Sequence, residues 1–190
     1  MKRLIVAPHC DDEVLWNFAV LPGSTVVILS DQFSMKHISQ QVAEEIGYEV
    51  KQYEFNPNHL TEDFHAIKDL LETELASNGY DQVFIPCRTH QQDHTLVNQI
   101  MRIATRPSNI LVRLKSVYEY PYWDINHFDY TTLLKVGEEK FRYAALFSGQ
   151  EKWANYVQAY NRYIALKYEY EGYFEPFRVI FERKTLEPGK

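Results

Sequence analysis

The side chains best suited to chemistry fall in two short clusters, each directly after an apolar run. The first cluster, residues 8–13, reads Pro-His-Cys-Asp-Asp-Glu and follows the run 3–7. The second, residues 90–94, reads His-Gln-Gln-Asp-His and follows the run 83–86. Crowded carboxylates repel one another unless something neutralises them, and a divalent cation would do so. The clusters therefore predict a metal-dependent hydrolase.

The first cluster offers two metal ligands and a base. His9 and Asp12 lie three residues apart across a predicted strand-to-helix turn, and an imidazole with a carboxylate suits Zn²⁺. Asp11 lies between them and would stay off the metal but close to it. We therefore predict Asp11 as the general base for a metal-activated water, whose pKa the metal lowers to about 7. Glu13 is expected in the first turn of the following helix, in a supporting role.

The second cluster would complete the site. His94 is the predicted third ligand, because three protein ligands leave an open position for water and substrate. His90 would then polarise the substrate or protonate the leaving group. Asp93 has two interpretations at this point: it belongs to the catalytic group, or it caps the helix that follows. Fe²⁺ or Mn²⁺ would also fit a site of two histidines and one carboxylate.

Strand and helix patterns alternate along the first half of the chain. The predicted strands are 2–7, 25–30, 49–55, 82–86 and 110–117, and the predicted helices are 39–46, 61–76, 93–105 and 151–168. This alternation predicts an α/β fold, a Rossmann-like three-layer sandwich with a mostly parallel sheet and helices on both faces. In such folds the carboxyl ends of neighbouring strands share one edge, so the two clusters are expected to meet there.

Details within these elements lead to further expectations. Thr61 is the predicted N-cap of its helix, Gly47 is expected to end the helix 39–46, and Pro121 should interrupt a strand. In the helix 151–168, a stripe at helical spacing is expected to pack on the sheet. That stripe comprises Trp153, Tyr156, Val157, Tyr160, Ile164 and Tyr168.

Bulk properties narrow the classes of function. The chain has 190 residues, which favours a single domain over 1–190, and its net charge of -6 with no basic tract excludes a nucleic-acid partner. No apolar run approaches the ~20 residues that span a bilayer, and no signal-like segment opens the chain, so a cytoplasmic protein is expected. Cys10 and Cys87 are expected to be small buried residues rather than a disulfide.

One of these motifs resembles a known signature. Residues 6–15, Val-Ala-Pro-His-Cys-Asp-Asp-Glu-Val-Leu, resemble the A-H-P-D-D-E-V-L motif of the LmbE-like, or PIG-L, zinc-dependent de-N-acetylases. Other segments resemble further elements of that family more loosely, namely 25–31, 40–48, 86–94 and 173–178. The resemblance implies a zinc-dependent amidohydrolase that removes an acetyl group from an N-acetylated amino sugar or its conjugate.

The resemblance also implies roles for individual residues. The zinc ligands would be His9, Asp12 and His94, and the general base would be Asp11. Asp93 matches an acidic residue that supports the neighbouring histidines. The implied partner is a small acetylated sugar or sugar conjugate, and no membrane span is implied.

The chain departs from the family pattern at the second cluster. Strict register puts the family's first histidine at Gln91, so either His90 takes its oxyanion or amine role or that role is lost. Gln91 could still donate a hydrogen bond to substrate. One or two of Tyr120, Tyr122 and Trp123 are predicted to stack on a sugar ring.

The chain also departs from the family pattern directly after the first cluster, and other classes of function are weighed beside the deacetylase. Trp16 and Phe18 replace a small, glycine-rich stretch, which predicts a narrower pocket. The alternative to an enzyme is a degenerate family member that binds a sugar or metal without turnover. A nucleotide-dependent Rossmann enzyme lacks its glycine-rich phosphate loop here, and a phosphatase would leave the histidines without a role.

Overall fold

The computed structural model describes residues 1–31, 34–106, 114–122, 131–147 and 151–182. The strands are β1 Arg3–His9, β2 Thr25–Ser30, β3 Glu49–Gln52, β4 Gln82–Pro86, β5 Ser116–Tyr120, β6 Thr132–Val136 and β7 Tyr173–Glu182. The helices are α1 Asp12–Asn17, α2 Lys36–Ile46, α3 Phe64–Asn78, α4 Gln92–Ala104, α5 Glu139–Ala144 and α6 Glu151–Lys167. Short 3₁₀ helices cover Phe18–Val20 and Leu60–Asp63.

All seven strands form one sheet, in the order β3-β2-β1-β4-β5-β7-β6. The first five strands of that order run parallel to one another. Strand β7 is antiparallel to both of its neighbours, β5 and β6. The predicted α/β fold with a mostly parallel sheet is therefore confirmed.

The sheet separates two apolar cores, because successive side chains of a strand point to opposite faces. In β1, Leu4 and Val6 pack into the core that α3 and α4 cover. Ile5 and Ala7 pack into the core on the other face, covered by α1, α2, α5 and α6. The layers are thus helix, sheet and helix, as predicted.

Several element boundaries differ from expectation. Helix α3 begins at Phe64 after a 3₁₀ turn, and Asp63 rather than Thr61 holds its N-cap position. Strand β5 ends at Tyr120, directly before Pro121, which has no N–H to donate to a ladder. Part of the predicted strand 110–117 lies outside the described residues.

Helix α2 ends as predicted. Gly47 follows its last residue with φ 83°, a left-handed conformation that glycine adopts at little cost.

The predicted aromatic stripe of α6 is only partly buried. Val157, Tyr160 and Ile164 are buried in the core, but Tyr156 and Tyr168 are 37% and 41% exposed. Tyr156 lies beside the buried stripe of the amphipathic helix, whereas Tyr168 lies just past Lys167, where α6 ends. Within the described part of the chain, no helix combines the length and apolar character that crossing a membrane requires.

Candidate metal centre

The first cluster occupies the turn between β1 and α1. His9 is the last residue of β1 and Asp12 the first of α1. Asp11 links them with φ 115°, a left-handed conformation that costs energy for a residue other than glycine. Its N–H donates to Glu13 Oε2 at 2.9 Å, and its carbonyl accepts from Val14 N at 3.0 Å. The first turn of α1 therefore holds Asp11 in its strained position.

The second cluster occupies the turn between β4 and α4. Gln91 is the N-cap of α4, because its side-chain oxygen accepts from His94 N at 2.7 Å. The interpretation of Asp93 as the cap is therefore wrong. Asp93 and His94 instead lie in the first turn of α4 and are fully buried. Since β4 pairs directly with β1, the two clusters meet at the carboxyl edge of the sheet, as predicted.

Three buried side chains converge where the clusters meet. His9, Asp12 and His94 each offer a potential ligand atom, and these atoms lie within 4.8 Å of one another. His94 Nε2 is 3.3 Å from Asp12 Oδ2, and His9 Nδ1 is 3.5 Å from the same oxygen. The residues predicted as ligands are thus brought together around one carboxylate.

Asp93 fixes the orientation of one of these histidines. Its Oδ2 lies 3.1 Å from His9 Nε2, on the side of the ring away from Asp12. The same oxygen accepts from Asn58 N at 2.7 Å. A carboxylate on the far nitrogen of a histidine is the arrangement that orients metal-ligating imidazoles.

His94 provides the test of whether a metal fits. The residue is fully buried, its Nδ1 has no hydrogen-bond partner in the described structure, and its Nε2 makes no hydrogen bond although Asp12 Oδ2 lies 3.3 Å away. An unsatisfied buried polar group costs about 1–3 kcal/mol. A cation held by His9, Asp12 and His94 would take up a lone pair of the His94 ring, and two imidazoles with a carboxylate are a donor set that zinc accepts. The residues present therefore fit a divalent metal.

The charges of the three residues are strongly coupled. Burial lowers the pKa of His94. Burial also acts to lower the pKa of His9, but hydrogen bonds to Asp12 and Asp93 outweigh it and raise that pKa to about 10. For Asp12, burial acts to raise the pKa, and His94 and His9 outweigh it and lower it. Without a cation, a proton on His9 balances Asp12, so metal binding should release a proton.

The two carboxylates beside the ligands behave in the opposite way. Burial raises the pKa of Asp11 well above its ordinary value, and the charges of Asp12 and Glu13 add to the effect. Burial raises the pKa of Glu13 to about 7, although Ser39 Oγ donates to its Oε1 at 2.7 Å. A raised pKa suits a group that must accept and return protons near neutral pH.

The remaining predicted site residues lie around this centre in different settings. His90 is exposed and lies outside the converging group. The ring of Tyr122 packs over the ring of His94, with centroids 3.7 Å apart. Trp123 lies outside the described residues. Tyr120 is fully buried and its hydroxyl donates to Val6 O at 2.9 Å, so the prediction that it stacks on a sugar is wrong.

Trp16 and Phe18 both point into the protein core. Trp16 is 2% exposed. The centroid of its ring lies 6.3 Å from that of Tyr122 and 6.2 Å from that of Tyr160 in α6. Phe18 packs against Tyr143, 5.9 Å away. Trp16 thus supports the aromatic wall formed by Tyr122 instead of being part of its surface.

Sequence reasoning missed two residues that hold the site. Asn58 donates to Asp93 through its backbone, and Ser39 donates to Glu13 from α2. Asn58 has φ 64°, and asparagine is common in such left-handed turns, so its turn was detectable but its contact was not. Cys10 and Cys87 are free and buried, as predicted.

Solved structures show the same architecture over nearly the whole chain. N,N'-diacetylchitobiose deacetylase from Pyrococcus horikoshii superposes with a TM-score of 0.75 and 16% identity, covering 94% of this chain and 83% of the other. The zinc-inhibited form of teicoplanin deacetylase Orf2 superposes with a TM-score of 0.74 and 12% identity, covering 97% of this chain and 99% of the other. The conserved protein TT1542 from Thermus thermophilus superposes with a TM-score of 0.72 and 17% identity, covering 99% of this chain and 98% of the other.

In comparisons by sequence, no protein-family model and no curated protein matches the chain. At identities of 12–17% the structural likeness establishes the fold. The chain therefore has the fold of the LmbE-like, or PIG-L, type of deacetylase, which the signature at residues 6–15 implied.

Proposed function

We propose that this protein is a zinc-dependent amidohydrolase that removes an acetyl group from an N-acetylated amino sugar or its conjugate. The observation that carries the proposal is the buried group of His9, Asp12 and His94, in which His94 has no hydrogen-bond partner for its ring nitrogens. Three neighbours of the same fold are named as deacetylases of N,N'-diacetylchitobiose, of teicoplanin and of the A40926 pseudoaglycone. A zinc ion, with Fe²⁺ or Mn²⁺ as substitutes, supplies Lewis-acid activation of water and of the amide carbonyl when bound.

In this proposal, Asp11 transfers the proton and Asp93 orients a metal ligand. Asp11 is the proposed base, which accepts the proton of the attacking water and returns it later in the reaction. Its strained backbone and its bond to Glu13 keep the carboxyl group at the strand end. Asp93 takes part by holding His9 with Nδ1 towards Asp12.

Four residues are proposed to contact the substrate. His90 is exposed at the start of the second cluster and can donate a proton to the departing amine or stabilise the oxyanion. Gln91 uses its side-chain oxygen for the helix cap, which leaves its amide nitrogen as the donor to a sugar hydroxyl. Tyr122 offers its ring beside His94 as a stacking surface, and Trp123 follows it in the chain.

The partner in this proposal is a small acetylated sugar or sugar conjugate. The free cysteines fit a reducing compartment, and we propose the cytoplasm as the site of the reaction.

Acetate release tests the proposal. Zinc-loaded wild-type protein is incubated with a panel of N-acetylglucosamine conjugates that includes N,N'-diacetylchitobiose, and acetate and free amine are measured together. We expect one free amine per acetate from wild type and none from Asp12→Asn. Zinc binding without hydrolysis of any member of the panel would contradict the proposal and favour a non-catalytic sugar- or metal-binding protein.

A further inference from the structure

A buried carboxylate near the end of β5 is shared by side chains of two other elements. Glu119 is fully buried. Its Oε1 accepts from Arg102 Nη2 at 2.6 Å and from Asn98 Nδ2 at 2.7 Å, and both of these residues belong to α4. Its Oε2 accepts from Arg178 Nε of β7 at 2.8 Å. Each oxygen of this carboxylate is therefore already paired with an arginine.

A third arginine lies beside this group without a carboxylate of its own. Arg88 Nε donates to Asn98 Oδ1 at 3.3 Å, and Arg102 Nε donates to the same oxygen at 3.1 Å. The two guanidinium groups therefore lie side by side on a neutral amide. Both arginines are exposed, and among the described residues Arg88 forms no ion pair. We call Arg88, Arg102 and Arg178 the arginine group.

The arginine group has a surplus of positive charge. In the described part of the chain, its three guanidinium groups meet one carboxylate, although the whole chain has a net charge of -6. Like charges held close together repel unless an anion neutralises them. The planar fork of arginine matches phosphate with paired hydrogen bonds. A phosphate monoester carries about 1.5–2 negative charges at pH 7, which balances a surplus of two better than one carboxylate does.

The arginine group lies at the same edge of the sheet as the candidate metal centre. Arg88 lies in the turn between β4 and α4, two residues before His90. Asn98 lies four residues after His94 in α4, which is about 6 Å along the helix axis. Its Nδ2 also donates to Pro86 O, at the end of β4, at 2.7 Å. A charged group attached to a sugar at the metal centre would therefore lie near these arginines.

We propose that Arg88 and Arg102 bind a phosphate monoester, and that the acetylated sugar of this enzyme carries that phosphate. The second part rests on the proposed deacetylase function. Asn98 and Glu119 hold the two guanidinium groups in place through the bonds given above. Long side chains of a helix lean towards its N-terminus, which is how Arg102 reaches the sheet edge from further along α4.

Phosphate binding to the full chain tests the first part. Inorganic phosphate is titrated calorimetrically into zinc-loaded protein that has been freed of excess ion. Wild type should bind one phosphate per chain, and Arg88→Met should weaken binding by about 10-fold or more because charge-assisted hydrogen bonds are lost. Arg162→Met is the matched control, since Arg162 is also exposed and also donates to a neutral oxygen, Gly172 O at 3.0 Å. It should bind phosphate like wild type.

Two further measurements on the same proteins locate the bound phosphate. His94→Ala removes a proposed zinc ligand and should still bind phosphate, whereas phosphate held by the metal would be lost. Circular dichroism separates loss of binding from loss of folding. Arg88→Lys keeps the charge without the planar fork, and its affinity should lie between those of wild type and Arg88→Met.

A comparison of sugars tests the second part. The substrates are N-acetylglucosamine, its 1-phosphate and its 6-phosphate, and acetate release is followed with zinc-loaded protein. In wild type, KM for one phosphorylated sugar should be lower by about 10-fold or more than KM for the unphosphorylated sugar. Arg88→Met should lose this difference, and Arg162→Met should keep it.

The two parts fail in different ways. No saturable phosphate binding by wild type, or equal affinity in wild type and Arg88→Met, overturns the phosphate site. Equal KM values for all three sugars overturn the assignment of the phosphate to the substrate. Phosphate binding that depends on Arg88, with no acetate released from any sugar, supports the site and contradicts the proposed deacetylase function.

Discussion

Asp12 and Glu175 are both buried carboxylates on the same side of the molecule, but their surroundings differ. Glu175 Oε1 lies 2.6 Å from Lys140 Nζ and accepts from Phe18 N at 3.0 Å, and its Oε2 accepts from Ala19 N at 2.8 Å. Lys140 in turn donates to a buried asparagine of α6 at 2.7 Å. The chain alone satisfies this pair.

The cluster around Asp12 is not satisfied in the same way. Both ring nitrogens of His94 and the Oδ1 atom of Asp93 are buried without a hydrogen-bond partner in the described structure. Buried polar groups in proteins are nearly always paired, and here three unpaired atoms belong to neighbouring residues of the candidate metal centre. Burial of charge alone therefore does not identify a site, whereas unpaired atoms that cluster among possible metal ligands support one.

The two clusters are also mechanically linked. Asp12 begins α1, and the residues that donate to Glu175 come directly after α1 ends. The Glu175 pair therefore anchors the far end of the helix that begins with the proposed metal ligand Asp12, directly after the proposed base Asp11. Four substitutions test this division between a catalytic cluster and structural ones.

Asp11→Asn should have the largest effect. Removing a general base lowers the rate of acetate release by about 10²–10⁴-fold. Metal content and stability should stay near wild type, because asparagine tolerates the left-handed backbone at this position. Turnover assays and metal analysis on the same sample check this. Full activity in the variant would place the base elsewhere.

Lys140→Met should strongly destabilise the protein. It leaves Glu175 buried without its cation, and breaking such a pair costs about 3–5 kcal/mol. Urea unfolding measures the loss. The control is Lys115→Met, which removes an exposed lysine paired with Asp81 and should cost no more than about 1 kcal/mol. Adding Glu175→Gln to Lys140→Met should recover part of the loss, and equal losses for the two lysines would refute the structural role.

Glu119→Gln should have a pH-dependent effect. Burial acts to raise the pKa of Glu119, but Asn98, Arg178 and Arg102 outweigh it and lower the pKa below its ordinary 4.5. The charged form therefore stabilises the fold above pH 4.5, and this contribution disappears as pH falls through the lowered value. We expect a loss of about 2 kcal/mol at pH 7. Urea unfolding at pH 7 and pH 3 should show that the difference in the free energy of unfolding between the variant and wild type shrinks at the lower pH. A constant difference would contradict a stabilising charge interaction of Glu119 with Arg178 and Arg102.

Gln91→Ala should have the smallest effect. It removes the α4 cap, which costs about 1 kcal/mol, and Gln91→Asn should restore most of it because asparagine is a good N-cap. Thermal unfolding measures stability, and KM measures the proposed contact with substrate. A variant that regains stability without regaining KM would assign Gln91 a substrate contact. Recovery of both would limit it to capping.

The parallel half of the fold was predictable from sequence because its signals are local. Short β-branched strands alternate with amphipathic helices, and the charged turns at residues 8–13 and 90–94 follow β1 and β4 directly. Pairing of these neighbours then brings His9 and His94 together. The cluster at 8–13 allowed two of the three candidate ligands, His9 and Asp12, to be predicted, because both lie within one turn of the chain.

The second half was less predictable because non-local contacts decide it. Strand β7 contains Pro176, which argues against a central strand, yet β7 pairs with both β5 and β6. The Lys140–Glu175 pair joins residues 35 positions apart with no motif between them. In the site, the capping role considered for Asp93 belongs to Gln91, since only the folded backbone shows which side chain reaches His94 N.

Metal content of the purified protein tests the central claim most directly. Wild type and His94→Ala are loaded with zinc, freed of excess ion and analysed for metal per chain. We predict about one zinc per chain in wild type and its loss in His94→Ala, because His94 is one of the three proposed ligands. Wild type without bound metal after loading, or equal zinc in both proteins, would contradict the assignment of His9, Asp12 and His94 as the metal centre.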